Sequence, residues 1–229
     1  MTFKELFSLT LKHIYAFRVQ LSKALLFPFI LSILLEVLSL AWSNLFFGII
    51  FSILSLMLRT IFAITTHRII LLGPSHVPEW GIIKWSRRET VFMLHALVLA
   101  LALIVLLFTI FIIQFLFRHI SLVVEIICMV LSIIYVVFIF TRLSLVFPAI
   151  AIGDACTFKN SWFFTKDYQK LMFFSTILIP LIVLIPEILI GYIPHTFLIV
   201  TVLSNLTVII GVTSLSLSYK FIKENALNS

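Results

Sequence analysis

The 229 residues are 62% hydrophobic and only 11% charged, with a mean hydropathy of +1.26. Ordinary soluble domains are about half apolar and about a quarter charged, so that class is excluded. The net charge of +7 could suggest nucleic acid, but its Lys and Arg lie between long apolar runs, where they meet lipid headgroups instead. Runs such as Val91–Ile113 and Leu122–Phe140 are apolar on every face and exceed the ~18 residues that cross a bilayer core. Barrel strands alternate polar and apolar residues, so these segments read as helices that satisfy their own backbones.

Taken in order, residues 2–23 lack the small-residue cleavage pattern of a signal peptide. Phe3, Phe7, Thr10, Ile14, Phe17 and Leu21 recur at steps of four and three, which predicts an amphipathic interfacial helix. The same face would serve equally to pack on the rest of the protein. Six spans follow, at about 24–41, 45–66, 91–113, 122–141, 168–190 and 196–219, within one transmembrane domain covering 1–229. The fold class is therefore all-α integral membrane. Pro180 and Pro186 predict a kinked fifth span. The tail from Lys220 is too short for a further domain.

Two basic connectors join the hairpins. The first, Arg68–Thr90, holds Arg68, Lys84, Trp85, Arg87 and Arg88, with Gly73-Pro74 as a break; the second runs from Arg142 through Pro148 to Asp167. Fourteen Lys and Arg fall in the N-terminal segment, the connectors and the tail, against Arg118 alone on the opposite face. The positive-inside rule then predicts that both termini and both connectors are cytoplasmic. Arg68 and Arg142 are 74 residues apart, as are Pro74 and Pro148, and Trp85 and Trp162 are 77 apart. These offsets suggest three parallel helical-hairpin repeats, although matches this short also arise by chance.

Arg142, Pro148-Ala149, Asp154 and Ser161-Trp162 with Thr165 resemble a pattern in bacterial six-span inner-membrane proteins related to the membrane domain of glycerophosphodiester phosphodiesterases. The motif covers about residues 142–167, and Asp167 stands where relatives often have glycine. The resemblance implies a fold and the bacterial inner membrane. It brings no phosphodiesterase activity, since no catalytic domain of that kind is present.

Few residues suggest chemistry. Glu36, Glu125 and Glu187 lie toward the extracytoplasmic ends of their spans, where costly intramembrane acids are candidates for proton or cation handling. They are also close enough to the span ends to reach headgroup water. Arg59 sits in the inner part of the second span, where snorkelling to nearby headgroups competes with a buried ion pair. His95 lies one turn inside the third span and either titrates or bonds a neighbouring helix. His67 reads as a headgroup or backbone contact, and Glu125 is within reach of Arg118 or His119.

For the connectors, Arg68, Trp85, Arg87, Arg88, Arg142, Asp154, Ser161, Trp162, Lys166 and Asp167 are candidate contacts for a headgroup or partner. Helix anchoring explains most of them equally well, leaving Asp154, Ser161 and Asp167 without an anchoring role. No His, Cys or acidic cluster has metal-ligand spacing, and Cys128 and Cys156 read as reduced thiols. No hydrolase, nucleotide or dinucleotide motif occurs, so neither enzyme nor cofactor is expected. The expected partners are anionic lipid headgroups and another membrane protein, with no nucleic acid. Function is expected to be that of a scaffold, an accessory subunit or an envelope-maintenance factor. The alternative is a small transporter or lipid-handling permease that uses the intramembrane carboxylates.

Overall fold

The computed structural model describes residues 1–42, 44–82, 84–117, 122–193 and 196–227. Arg118, His119 and His195, and with them the expected pairing to Glu125, lie outside the described residues. Among those described, all regular structure is helical. The elements are α1 (Phe3–Ala16), α2 (Arg18–Ala41), α3 (Leu45–Leu72), α4 (Arg87–Phe117), α5 (Leu122–Leu143), α6 (Val146–Ile152), α7 (Phe158–Phe164), α8 (Gln169–Phe173), α9 (Ile179–Gly191) and α10 (Phe197–Leu227). Six stretches are long and apolar enough to span a membrane: Arg18–Ala41, Leu45–Leu72, Arg87–Ile112, Val123–Ile152, Lys166–Gly191 and Phe197–Asn225. The chain is a multi-pass, all-α membrane protein.

Local chemistry sets the helix limits. Thr2 and Glu5 form a reciprocal capping box at α1, and Asn44 Oδ1 accepts from the Phe47 amide at the start of α3. α3 ends at Gly73, whose φ of +90° few other residues tolerate, and Pro74 prevents continuation. α1 packs along α10, with Leu6 and Thr10 fully buried and Phe3, Phe7 and Phe17 flanking them. Its apolar face thus packs on the bundle, a use compatible with an interfacial position.

α3 and α10 occupy the centre, with α2 against α3 and α9 against α10. Their shared seam is polar as well as tight. Thr65, Thr66 and His67 of α3 are buried, as are Thr213, Ser214, Ser216 and Ser218 of α10, all four 0% exposed. Small hydroxyl residues let helix backbones approach closely in lipid, where no hydrophobic force draws helices together. His67 is buried here rather than at headgroups, with Nδ1 2.7 Å from Ser216 Oγ. The Ser216 hydroxyl donates its one proton to Val212 O, so the imidazole N–H is the donor to Ser216.

The fifth span is irregular at Pro180 for a definable reason. Phe174–Leu178 is π-helical, and the Ile179 N–H bonds to Phe174 O. In that register Ser175 O would next receive the amide of residue 180, but proline has none. Ser214 Oγ of α10 lies 2.8 Å from Ser175 O and 2.8 Å from Gly211 O, so its one proton is shared between that carbonyl and its own helix. Gly211 leaves room beside it, since a Cβ there would lie 3.3 Å from Pro180 Cγ.

The two connectors fold differently. The first turns through Pro74–His76 and docks Val77 against Leu21, Ala24, Leu25 and Phe62. The second forms α6 and α7, closing α6 at Gly153 (φ +86°) with Asp154 N–H donating to Ala149 O. The α4–α5 pair joins the remaining spans through its connector-side half, while its far half keeps residues such as Phe108, Phe111, Ile127 and Leu131 exposed. In a bilayer that surface meets acyl chains.

Candidate functional site

On the side away from the connectors, α2, α3, α9 and α10 enclose a cavity of about 730 Å³. Each of three helices contributes polar residues one turn apart: Ser32 and Glu36 from α2, Ser55 and Arg59 from α3, and Thr201 with Ser204 and Asn205 from α10. Such i, i+4 spacing places both members of a pair on one helix face. Glu187 and Gly191 of α9 complete the wall, and Leu58 and Phe62 line its apolar part. Apart from Glu36, Arg59 and Glu187, these polar residues went unnoticed in the sequence. The i, i+4 repetition was the signal that could have found them.

The cavity brings Glu36 and Glu187 together with Arg59, and Glu125 is excluded. Glu125 is exposed on α5, which does not line the cavity. Snorkelling toward the connectors does not describe Arg59: its residue is fourteen positions past Leu45, ~21 Å along α3, and it shares the cavity with two carboxylates. Even so, the charges do not neutralise one another. Among the described residues Arg59 forms no ion pair or hydrogen bond, and Glu187 Oε2 is buried with no hydrogen-bond donor. Asn205 is only 8% exposed, and its Nδ2 donates to Ser32 Oγ and Thr201 O at 3.0 Å each. That arrangement fixes the α2–α10 wall and leaves Oδ1 as an acceptor unused among the described residues. His95 lies apart, its Nδ1 2.9 Å from Val91 O of its own helix and its ring beside Phe158, and among the described residues it bonds no neighbouring helix.

The connector candidates separate into structural contacts and two surface depressions. Arg142 is 4% exposed, with its guanidinium 4.5 Å from the Trp162 ring centroid and 5.8 Å from that of Phe138. The two rings meet edge to face, 5.8 Å apart, so the guanidinium makes a cation–π contact with Trp162 beside that pair rather than a headgroup contact. Its backbone carbonyl is one of the orphan acceptors at the end of α5. Ser161 Oγ donates to it at 2.7 Å, which explains the buried Ser161, while Thr165 Oγ1 lies 3.3 Å from it and donates at 2.8 Å to Ser161 O. Arg68 donates to His76 O and Ala151 O, tying the first connector to α6. Trp85 Nε1 donates to Thr90 Oγ1, and Ser86 and Arg88 both bond the fully buried Glu89 at the start of α4. Ser86-Arg-Arg-Glu89 is a capping-box spacing that also went unread in the sequence.

Asp154 accepts from Lys223 and Tyr219 of α10, clasping the second connector to the last helix. Lys223, then Tyr219, holds its carboxyl below the usual carboxylate range. Burial, with the Asp154 charge, pushes the neighbouring Cys156 thiol up, away from reactivity. Arg87 and Arg88 line a shallow groove with Asp154, whereas Lys166 and Asp167 line a separate depression beside Met1 and Phe221. Of the three residues left without an anchoring role, Asp154 and Ser161 hold the connector together and Asp167 is exposed on a 3₁₀ turn. Among the described residues no group of His, Cys, Asp and Glu is arranged to hold a metal. No family model, curated protein or solved structure matches this chain.

Proposed function

We propose that this multi-pass membrane protein handles a small polar or amphiphilic ligand through the cavity of Glu36, Arg59 and Glu187, as a small transporter or lipid-handling permease without enzymatic chemistry. One observation carries the reading: the exposed Arg59 guanidinium and a buried Glu187 oxygen line one intramembrane cavity, both lacking partners among the described residues. Unpaired charge inside a span is expensive, and a purely structural role supplies no return for it. The positive-inside distribution orients the cavity toward the extracytoplasmic side, and the resemblance of residues 142–167 points to a bacterial inner membrane.

A ligand of this cavity raises the melting temperature of the purified chain by mass action. In a thermal-shift screen with amino acids, organic cations and lipid headgroups, at least one compound is expected to stabilise the wild type and Glu125→Gln. The same compound should leave Glu36→Gln/Glu187→Gln unshifted. A shift that survives the double substitution, or no shift with any compound, contradicts the proposal.

A second reading, as a scaffold, accessory subunit or envelope-maintenance factor, draws support from the far half of α4–α5, which is exposed around most of its surface. A stoichiometric membrane partner that is lost on polar substitution of Ile127 and Leu131 would favour it.

A further inference from the structure

The cavity among α2, α3, α9 and α10 supports a statement about ligand chemistry, and this statement rests on reading the cavity as a ligand site. Its unpaired groups are of opposite kinds. Arg59 is a donor without an acceptor; Glu187 Oε2, the Glu36 carboxylate and Asn205 Oδ1 are acceptors without a donor among the described residues. Arg59 and Glu36 are exposed to the cavity, whereas Glu187 Oε2 is buried; a ligand that only accepts leaves that buried oxygen unmet at the cost of a desolvated polar group, and one that only donates leaves the guanidinium unmet. A ligand that meets both kinds of group carries an anion and an N–H cation.

Depth orders the two ends. Glu36 is five residues before the end of α2 and Glu187 four before the end of α9, ~6–8 Å from those ends, whereas Arg59 lies ~21 Å along α3. From the mouth inward the site thus presents carboxylates first and guanidinium second. A phospholipid headgroup in the same leaflet has the matching order, with its amine toward water and its phosphate next to the glycerol. Arg pairs phosphate oxygens bidentately, and the unmet Glu187 oxygen calls for an ammonium that still has N–H bonds. A quaternary ammonium has none.

We propose that this cavity binds a compact zwitterion of a protonated primary amine and a phosphodiester, the ammonium on Glu187 and Glu36 and the phosphodiester on Arg59. The same chemistry comes from the ethanolamine headgroup of a membrane phospholipid or from free glycerophosphoethanolamine.

Native mass spectrometry of the full chain, released from detergent, tests this with added phosphatidylethanolamine, phosphatidylglycerol and phosphatidylcholine of identical acyl chains. The ethanolamine lipid is expected to be retained at least about tenfold over the other two. Arg59→Gln and Glu187→Gln are each expected to lower that retention about tenfold, with Glu125→Gln at wild-type level. Displacement by millimolar glycerophosphoethanolamine assigns the free zwitterion as a ligand; undisturbed retention assigns the lipid. Equal retention of all three lipids by the wild type overturns the proposal, a result that needs no variant to fold. Unchanged retention in monodisperse Arg59→Gln and Glu187→Gln also overturns it. If the lipids are held equally while another compound gives a carboxylate-dependent thermal shift, this inference fails and the ligand-site reading stands; if neither signal appears, both fail.

Discussion

Gly81→Ala is expected to lower stability by more than any other single-methyl addition to a glycine of this chain. A Cβ at Gly81 would lie 2.0 Å from Ala24 O and 3.0 Å from Ala24 C. Both are backbone atoms, so no side-chain rotation relieves the overlap. The φ of +83° adds about 1 kcal/mol for any L side chain. The first connector would have to lift from α2, withdrawing Val77 from Leu21, Ala24 and Leu25 and parting the Lys23–Glu79 ion pair. Together these amount to a loss of about 3 kcal/mol or more, in the range reserved for core disruption. Thermal unfolding in detergent, followed by tryptophan fluorescence, measures it. Gly48→Ala is the control: that helical glycine has open space around its Cβ position, and alanine there is expected to be neutral or slightly stabilising. Equal melting temperatures for the two variants would show that the connector does not dock on α2 as described.

Ser214→Leu is expected to be nearly as damaging, for a different reason. Ser214 is 0% exposed between α9 and α10, and its hydroxyl is shared between Gly211 O and the carbonyl that the π-helical turn and Pro180 leave without an amide. Removing that bond costs about 1 kcal/mol inside a membrane bundle. Forcing a larger side chain into a closed seam adds about 1–3 kcal/mol. Ser214→Ala separates the two contributions, since it deletes the hydroxyl without adding volume. The expected order of melting temperature is wild type, then Ser214→Ala, then Ser214→Leu. A wild-type value for Ser214→Leu would mean that α10 does not pack on α9 through this residue.

These two positions also mark where the sequence was readable and where it was not. Six spans follow from the length of apolar runs alone, because a bilayer demands continuous helices of a minimum length. Helix neighbours do not follow, since lipid-facing and helix-facing residues are equally apolar. Ser214 and His67 therefore looked unremarkable until α3 and α10 were seen side by side. Glu36 and Glu187 stood out as isolated acids, yet pairing them with each other and with Arg59, rather than with Glu125, required the order α2–α3–α10–α9. The Arg142–Asp167 connector was dense in polar residues and invited a binding role. In the structure, much of that density meets the needs of broken helices: Ser161 serves the Arg142 carbonyl at the end of α5, and Asp154 fastens the turn after α6 to Lys223 and Tyr219. Breaks between helices create unmet backbone groups, so polar residues gather there whether or not a ligand does.

The central claim is that Arg59, Glu36 and Glu187 share a solvent-reachable cavity opening away from the connectors. It is tested most directly by thiol accessibility in intact cells. Ser204, in the cavity wall, is changed to cysteine in a chain whose two native free thiols, Cys128 and Cys156, are replaced by serine. Leu131→Cys, on the exposed apolar face of α5, reports reactivity without a cavity. A membrane-impermeant thiol reagent added outside the cell is predicted to label Ser204→Cys and to leave Leu131→Cys unlabelled. Labelling of Ser204→Cys only after the cytoplasm is opened, or at no faster rate than Leu131→Cys, would contradict the account.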